Sequence, residues 1–158
     1  MGIMVSPDSI IRNTIIIPAY NEERRIEEVV NQYASYFQHS LILVVCNGCA
    51  DGTVRIVGQL AAARVNVEFL EFKEKIGKGG ALLEGFSHCI TELVSFVDAD
   101  ESTSPHDLDG LVNVISSNDG VIGSRKLEAS IILVPQSFLR RFLSRCFNVL
   151  VNALFSLG

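Results

Sequence analysis

Basic residues are in deficit in this 158-residue chain: thirteen Lys and Arg face eighteen Asp and Glu, for a net charge of −5 at pH 7. That balance argues against nucleic-acid binding by the domain as a whole. No apolar run approaches the roughly 20 residues that a membrane-spanning helix needs. The opening MGIMVSPDSI lacks the basic start and continuous apolar core of a signal peptide. Cys46, Cys49, Cys89 and Cys146 are therefore expected to be reduced thiols, and the chain is expected in the cytoplasm. Repeats, low-complexity tracts and long linkers are also missing. The longest irregular stretch is expected over Lys126 to Gln136.

What is present is a globular composition, 48% hydrophobic and 20% charged, long enough for one ordinary core. Short apolar runs alternate with helical patterns. NTIII, LILVV, VNVEFLEF, LVSFV and GVIGS read as five strands. Between them, Ile26, Val29, Val30, Tyr33 and Phe37 fall at helical spacing, and TVRIVGQLAAA reads as a helix with Asp51 as its cap. A third helix is expected over Lys78 to Ile90, with Leu82, Leu83, Phe86 and Ile90 on its apolar face. Ser104, Pro105 and Asp107 form a box-like start for a fourth, burying Leu108, Leu111, Val112 and Ile115. A last helix runs from Ser137 to Leu157. Such alternation implies an α/β fold, a mainly parallel sheet flanked by helices on both faces. Sheets of this kind bind ligands beyond the carboxyl ends of their strands.

Candidate chemistry sits in the loops that follow the strands. In VDADES, Asp98 and Asp100 straddle one residue after a strand. Two hard carboxylates there suit Mg2+ or Mn2+, which take a few carboxylates plus substrate phosphates; two solvated turn aspartates are the plainer reading. GKGGALLEGF opens a helix with Gly77, Gly79 and Gly80 around Lys78, a pattern that lets an anion approach backbone N–H groups. It is not a Walker A loop, because Phe72 stands where the first glycine belongs and no Ser or Thr follows Lys78. A flexible glycine turn explains it as well. PAYNEE follows the first strand and can either contact a nucleoside or cap a helix through Asn21, Glu22 and Glu23.

CNGCADGT carries Cys46 and Cys49 in C-x-x-C spacing between a strand and a helix. A redox pair fits that place. Zinc would need a second pair of ligands, and Cys89, Cys146, His39, His88 and His106 supply none at ligand spacing. Asn47-Gly48 and Asp51-Gly52-Thr53 read instead as turn and helix-start chemistry, with the cysteines incidental.

IIIPAYNEE, VVCNGCADGT, GKGGALLEGF, FVDADES and GVIGSRK together resemble family 2 glycosyltransferases in order and spacing, over Thr14 to Lys126. The resemblance implies a GT-A (Rossmann-like) fold and a nucleotide-diphosphate sugar as donor, UDP- or GDP-linked. The subgroup it suggests is the polyprenyl-phosphate sugar transferases. By position, it implies that Pro18, Ala19, Tyr20 and Glu22 line the nucleoside pocket. Asn47 falls where the family has an aspartate that reads the base edge. Lys78 and Gly79 lie beside the donor, Asp98 and Asp100 match the metal-binding D-x-D, and Arg125 meets acceptor or diphosphate. Cys46 and Asn47 replace two aspartates of the family's DDGSTDGT, which leaves the base open. The resemblance also implies a nucleotide-sugar-binding domain over residues 1–136, with 137–158 as its C-terminal helix, and a chain that stops before the acceptor segment.

A polyprenyl phosphate needs no base to deprotonate it, whereas a glycan hydroxyl does; Asp107, Asp109 and Glu128 are candidate bases for the second case. The resemblance implies inverting displacement at the anomeric carbon. In the last helix Phe138, Leu139, Phe142, Leu143, Cys146, Phe147, Leu150, Val151, Leu154 and Phe155 form one stripe, with Arg140, Arg141 and Arg145 off it. That pattern suits either the cytoplasmic face of a membrane or packing on the sheet or a second copy of the chain. A non-catalytic nucleotide-sugar-binding module and a C-x-x-C thiol–disulfide protein are the competing functions.

Overall fold

The computed structural model describes residues 13–115, 118–124 and 138–155. Four strands form one sheet: β1 (Asn13–Ala19), β2 (Ser40–Asn47), β3 (Val67–Phe72) and β4 (Leu93–Phe96), in the order β3-β2-β1-β4 and all parallel. Helices α1 (Ile26–Tyr36), α2 (Thr53–Ala63), α3 (Gly77–His88) and α4 (Pro105–Asn113) alternate with or follow the strands. A further helix, α5 (Phe138–Phe155), lies in a separate compact unit spanning residues 120–158; the first unit spans residues 1–119.

Central β1 is almost wholly buried, and its alternate residues feed two cores. Ile15, Ile17 and Ala19 pack with Ile26, Val29, Val30 and Tyr33 of α1, Val57 of α2 and Leu108 of α4. Ile16 faces the other way, with Leu43, Val45 and Ala81 of α3. A strand covered on both faces reads as a continuous apolar run, as NTIII and LILVV do.

Two expectations are corrected. Residues 120–124 form no strand: the run lies between Gly120 and Gly123, Ile122 is 85% exposed, and so short a segment buries too little to hold strand geometry. Of the expected α3 stripe only Leu82 packs against the sheet-side core. Ala81 and Gly85 are buried there, while Leu83, Phe86 and Ile90 are exposed. A Cβ on Gly85 would stand 2.9 Å from the Ile16 side chain, so the helix approaches β1 too closely for anything larger. The start of α4 follows expectation: the Ser104 hydroxyl accepts from the Asp107 N–H, the Asp107 carboxylate accepts from the Ser104 N–H, and Pro105 opens the helix. The expected irregular stretch of 126–136 lies outside the described residues.

Candidate functional site

Parallel register brings the strand ends to one rim. Ala19 is level with Cys46, Asn47 with Phe72, and the Val97 N–H just past β4 donates to the Ile16 carbonyl. The loops after β1, β2, β3 and β4 therefore start side by side, whatever their separation in sequence.

The loops after β1 and β2 hold each other reciprocally. Asn21 Oδ1 accepts from the Ala50 N–H at 2.8 Å, and Glu23 Oε2 from the Gly52 N–H at 2.8 Å. In return Thr53 Oγ1 accepts from the Glu22 N–H at 2.8 Å, and Asp51 Oδ2 from the Glu23 N–H at 3.2 Å. Asp51 Oδ1 also accepts from the Thr53 N–H and hydroxyl, although the cap position itself is Gly52. Partial burial works against ionisation of Asp51, but these hydrogen bonds prevail and hold its carboxyl below the usual range. Glu22 turns its carboxylate to Arg25 at 2.7 Å. A shallow depression of about 360 Å³ lies along this clasp, lined by Asn21, Glu22, Glu23, Arg24, Arg25 and Asp51.

The segment Lys75–Lys78, which runs into the first turn of α3, touches the other three strand ends. Ile76 donates its N–H to Asn47 Oδ1 at 2.7 Å. Lys75 Nζ stands 3.8 Å above the centroid of the half-exposed Tyr20 ring. Lys78 forms an ion pair with Asp98 just past β4. Gly48, at φ +65, packs against the Lys75 backbone, where a Cβ would come within 2.8 Å of the Lys75 nitrogen. Only glycine fits this turn, for both conformation and space. The amide orientation of Asn47 is set by chemistry, because an N–H can only meet the side-chain oxygen.

The loop carrying Asp98 and Asp100 is tied down separately. The buried Tyr33 hydroxyl donates to the Thr103 carbonyl at 2.9 Å. Burial, with a lesser contribution from Asp107, pushes that phenol up to about 12. Asp100 Oδ1 accepts from the Ser102 N–H at 3.0 Å, and Glu101 takes a positive φ of 62° to allow the turn. Desolvation disfavours the Asp100 charge, yet the Ser102 hydrogen bonds and the nearby Arg25 guanidinium outweigh it and lower the carboxyl.

Among the described residues no group of three or more Cys, His, Asp or Glu could enclose a metal ion. Asp98 and Asp100 offer two carboxylates on a loop open to solvent, and Asp98 already holds a cation, the Lys78 ammonium. That donor set fits Mg2+ or Mn2+ sharing its remaining positions with phosphate oxygens and water. It does not fit zinc or a soft metal.

Of the residues singled out from sequence, Tyr20, Asn47, Lys78 and Asp98 meet through the Lys75–Lys78 segment. Pro18 and Ala19 lie in β1 beneath it, with the Ala19 carbonyl 3.5 Å from Cys49 Sγ. Gly79 lies in the first turn of α3, with nothing within 4 Å of where its Cβ would be. Arg125 and Glu128 lie outside the described residues. Sequence reading missed Lys75, Tyr33 and Arg25 as site residues; of these only Lys75 carried a signal, as the neighbouring cation in KEKIGK. Cys46 is buried, and burial first, then Cys49 and Glu71, push its thiol up to about 12. Burial and a raised thiol both disfavour Cys46 as an attacking thiolate.

A parallel α/β sheet whose rim gathers a carboxylate pair, a glycine-lined helix start and an exposed ring is a GT-A architecture. The sequence profile described as Glycosyl transferase family 2 matches residues 14–132, and the chain belongs to that family. A dolichyl-phosphate beta-glucosyltransferase of Trichomonas vaginalis is 30% identical over 153 residues, covering 87% of this chain and 47% of the relative. An undecaprenyl-phosphate 4-deoxy-4-formamido-L-arabinose transferase of Sodalis glossinidius is 26% identical, covering 94% and 46%. Among solved structures, a mannosyltransferase of Pyrobaculum calidifontis in complex with GDP-Man and Mn2+ superposes with a TM-score of 0.60 at 27% identity, over 73% of this chain and 36% of that one. The chain spans about half the length of the curated relatives it matches.

Proposed function

We propose that this chain forms the donor-binding part of an enzyme that transfers a sugar from a nucleotide diphosphate to a polyprenyl phosphate, with Mg2+ or Mn2+ bound. The observation that carries the reading is the meeting of Tyr20, Asn47, Lys78 and Asp98 through one segment at the strand ends. Asp98 and Asp100 would hold the cation, which stabilises negative charge on a departing diphosphate. The α3 start, with Lys78 and Gly79, would receive the diphosphate, because backbone N–H groups and an ammonium converge there. Tyr20 offers an aromatic face to the base, with Pro18, Ala19 and Glu22 around the nucleoside. Asn47 would meet the base edge through its amide NH2, its oxygen being held by Ile76. Arg125 keeps its role toward acceptor or diphosphate from the family pattern alone.

The acceptor follows from proton chemistry and from relatives. A phosphate oxygen is already anionic, so in-line attack with inversion asks nothing of a general base. Relatives named for dolichyl-phosphate and undecaprenyl-phosphate transfer support the same choice over a glycan. Among the described residues no helix is long and apolar enough to cross a membrane. Exposed Leu143, Phe147, Leu150 and Leu154 on α5, together with Arg145, suit contact with a membrane surface carrying lipid phosphates.

Titration with UDP- and GDP-sugars, with and without Mn2+, tests the reading. Metal-dependent binding of one donor, lost in Asp98→Ala and Asp100→Ala, is the expected result. Binding without turnover when polyprenyl phosphate is supplied would favour a non-catalytic module instead, and no metal-dependent binding of any donor would sink both.

A further inference from the structure

We propose that Lys78 couples cation and diphosphate binding: it occupies Asp98 until an incoming diphosphate draws its ammonium away. The proposal rests on the donor-binding reading above and concerns how that site fills. Lys78 and Asp98 are paired although both side chains are about half exposed, at 56% and 42%. So exposed a pair is weak, and exchanging its partner costs little. A divalent cation at Asp98 Oδ1 takes the place the ammonium now holds. An ammonium and a divalent cation repel each other there, so the cation alone binds below the affinity of the bare carboxylates.

The surroundings give Lys78 a second place to go. It is the second residue of α3, whose first turn has no side-chain cap. Nothing stands within 4 Å of where a Cβ on Gly77 or Gly79 would be, so the space on either side of Lys78 is open to an anion. The main chain leading to it is fixed by the Ile76–Asn47 hydrogen bond and by Gly48 against Lys75. Only the Lys78 side chain then has to swing. A diphosphate at the helix start offers it a new partner, frees Asp98 for the cation, and is helped by that cation in turn. Such coupling is reciprocal by thermodynamic necessity.

Mn2+ binding followed by the loss of the free-ion paramagnetic signal tests this without any turnover. Wild type, K78M and K75M would be compared, each alone and with UDP or GDP. K75M removes the same charge from the same segment, but at the Tyr20 ring rather than at Asp98. Without nucleotide, K78M should bind Mn2+ about three- to fivefold tighter than wild type, the worth of an exposed ion pair, and K75M should match wild type. Nucleoside diphosphate should raise the Mn2+ affinity of wild type by a larger factor than that of K78M. Equal affinities of K78M and wild type, or the same gain in both lysine variants, would overturn the proposal even if nucleotide binds with Mn2+. A tighter K78M with no response of any protein to UDP or GDP would instead refute the donor reading and the coupling drawn from it. No Mn2+ binding to any of the three would overturn both.

Discussion

Asn47 Oδ1 accepts the Ile76 N–H at 2.7 Å, across 29 residues of sequence, from a side chain only 3% exposed. The bond ties the end of β2 to the segment that opens α3. Asn47→Ala leaves that N–H without its partner, at a cost of about 1–3 kcal/mol. Asn47→Asp keeps an acceptor and should lose much less. Urea unfolding of the three proteins separates the cases, and limited proteolysis should cut Asn47→Ala first near residues 73–78.

Glycines in two helices should respond to alanine in opposite directions. Gly85→Ala drives a methyl to 2.9 Å from the Ile16 side chain and should destabilise by about 1–3 kcal/mol. Gly110 of α4 has nothing within 4 Å of its would-be Cβ, so Gly110→Ala should stabilise by about 0.5–1 kcal/mol through helix propensity. Thermal unfolding midpoints read both.

Cys46 should resist alkylation by iodoacetamide at pH 8 in the native protein and react once the chain is unfolded. The paired substitution of Cys46 and Cys49 by serine should leave donor binding in place. Alkali should weaken the fold. The unfolded thiol ionises near 8.5 and the unfolded phenol near 10, whereas folded Cys46 and Tyr33 stay protonated to about 12. The folded state thus binds more protons in that window, and stability falls as pH rises through it.

Acid should act through Asp51, Asp100 and Asp107. Hydrogen bonds from Ser104 lower Asp107 as those described above lower the other two. With folded values depressed, their stabilisation is complete above the unfolded value of about 3.9 and is lost as pH falls through the folded values. Denaturant midpoints measured from pH 6 to pH 2 should fall below about pH 4, and Ser104→Ala, costing about 1 kcal/mol at neutral pH, should flatten that fall.

Much of the fold was legible because its signals are local. Ile15 to Ile17 and Ile42 to Val45 read as buried strands because the sheet is covered on both sides. Ser104, Pro105 and Asp107 declared a helix start whose every hydrogen bond is short-range. Apart from Leu82, the buried face of α3 was illegible for the opposite reason. Close approach to Ile16 selects Ala81 and Gly85, which carry no hydrophobic signal, and leaves Leu83 and Phe86 outside. Asp98 and Lys78 could be picked out singly. Their pairing could not, nor could that of Asn47 with Ile76, since each joins loops that only the parallel register makes neighbours.

The four exchanges among Asn21, Glu23, Asp51 and Thr53 have a consequence for engineering. Each loop supplies the acceptors that the other's amides require, so the two fold as a single interlocked part. A chimera that imports only one of them from a related transferase inherits half a lock, whereas transplanting both together should carry the local architecture intact.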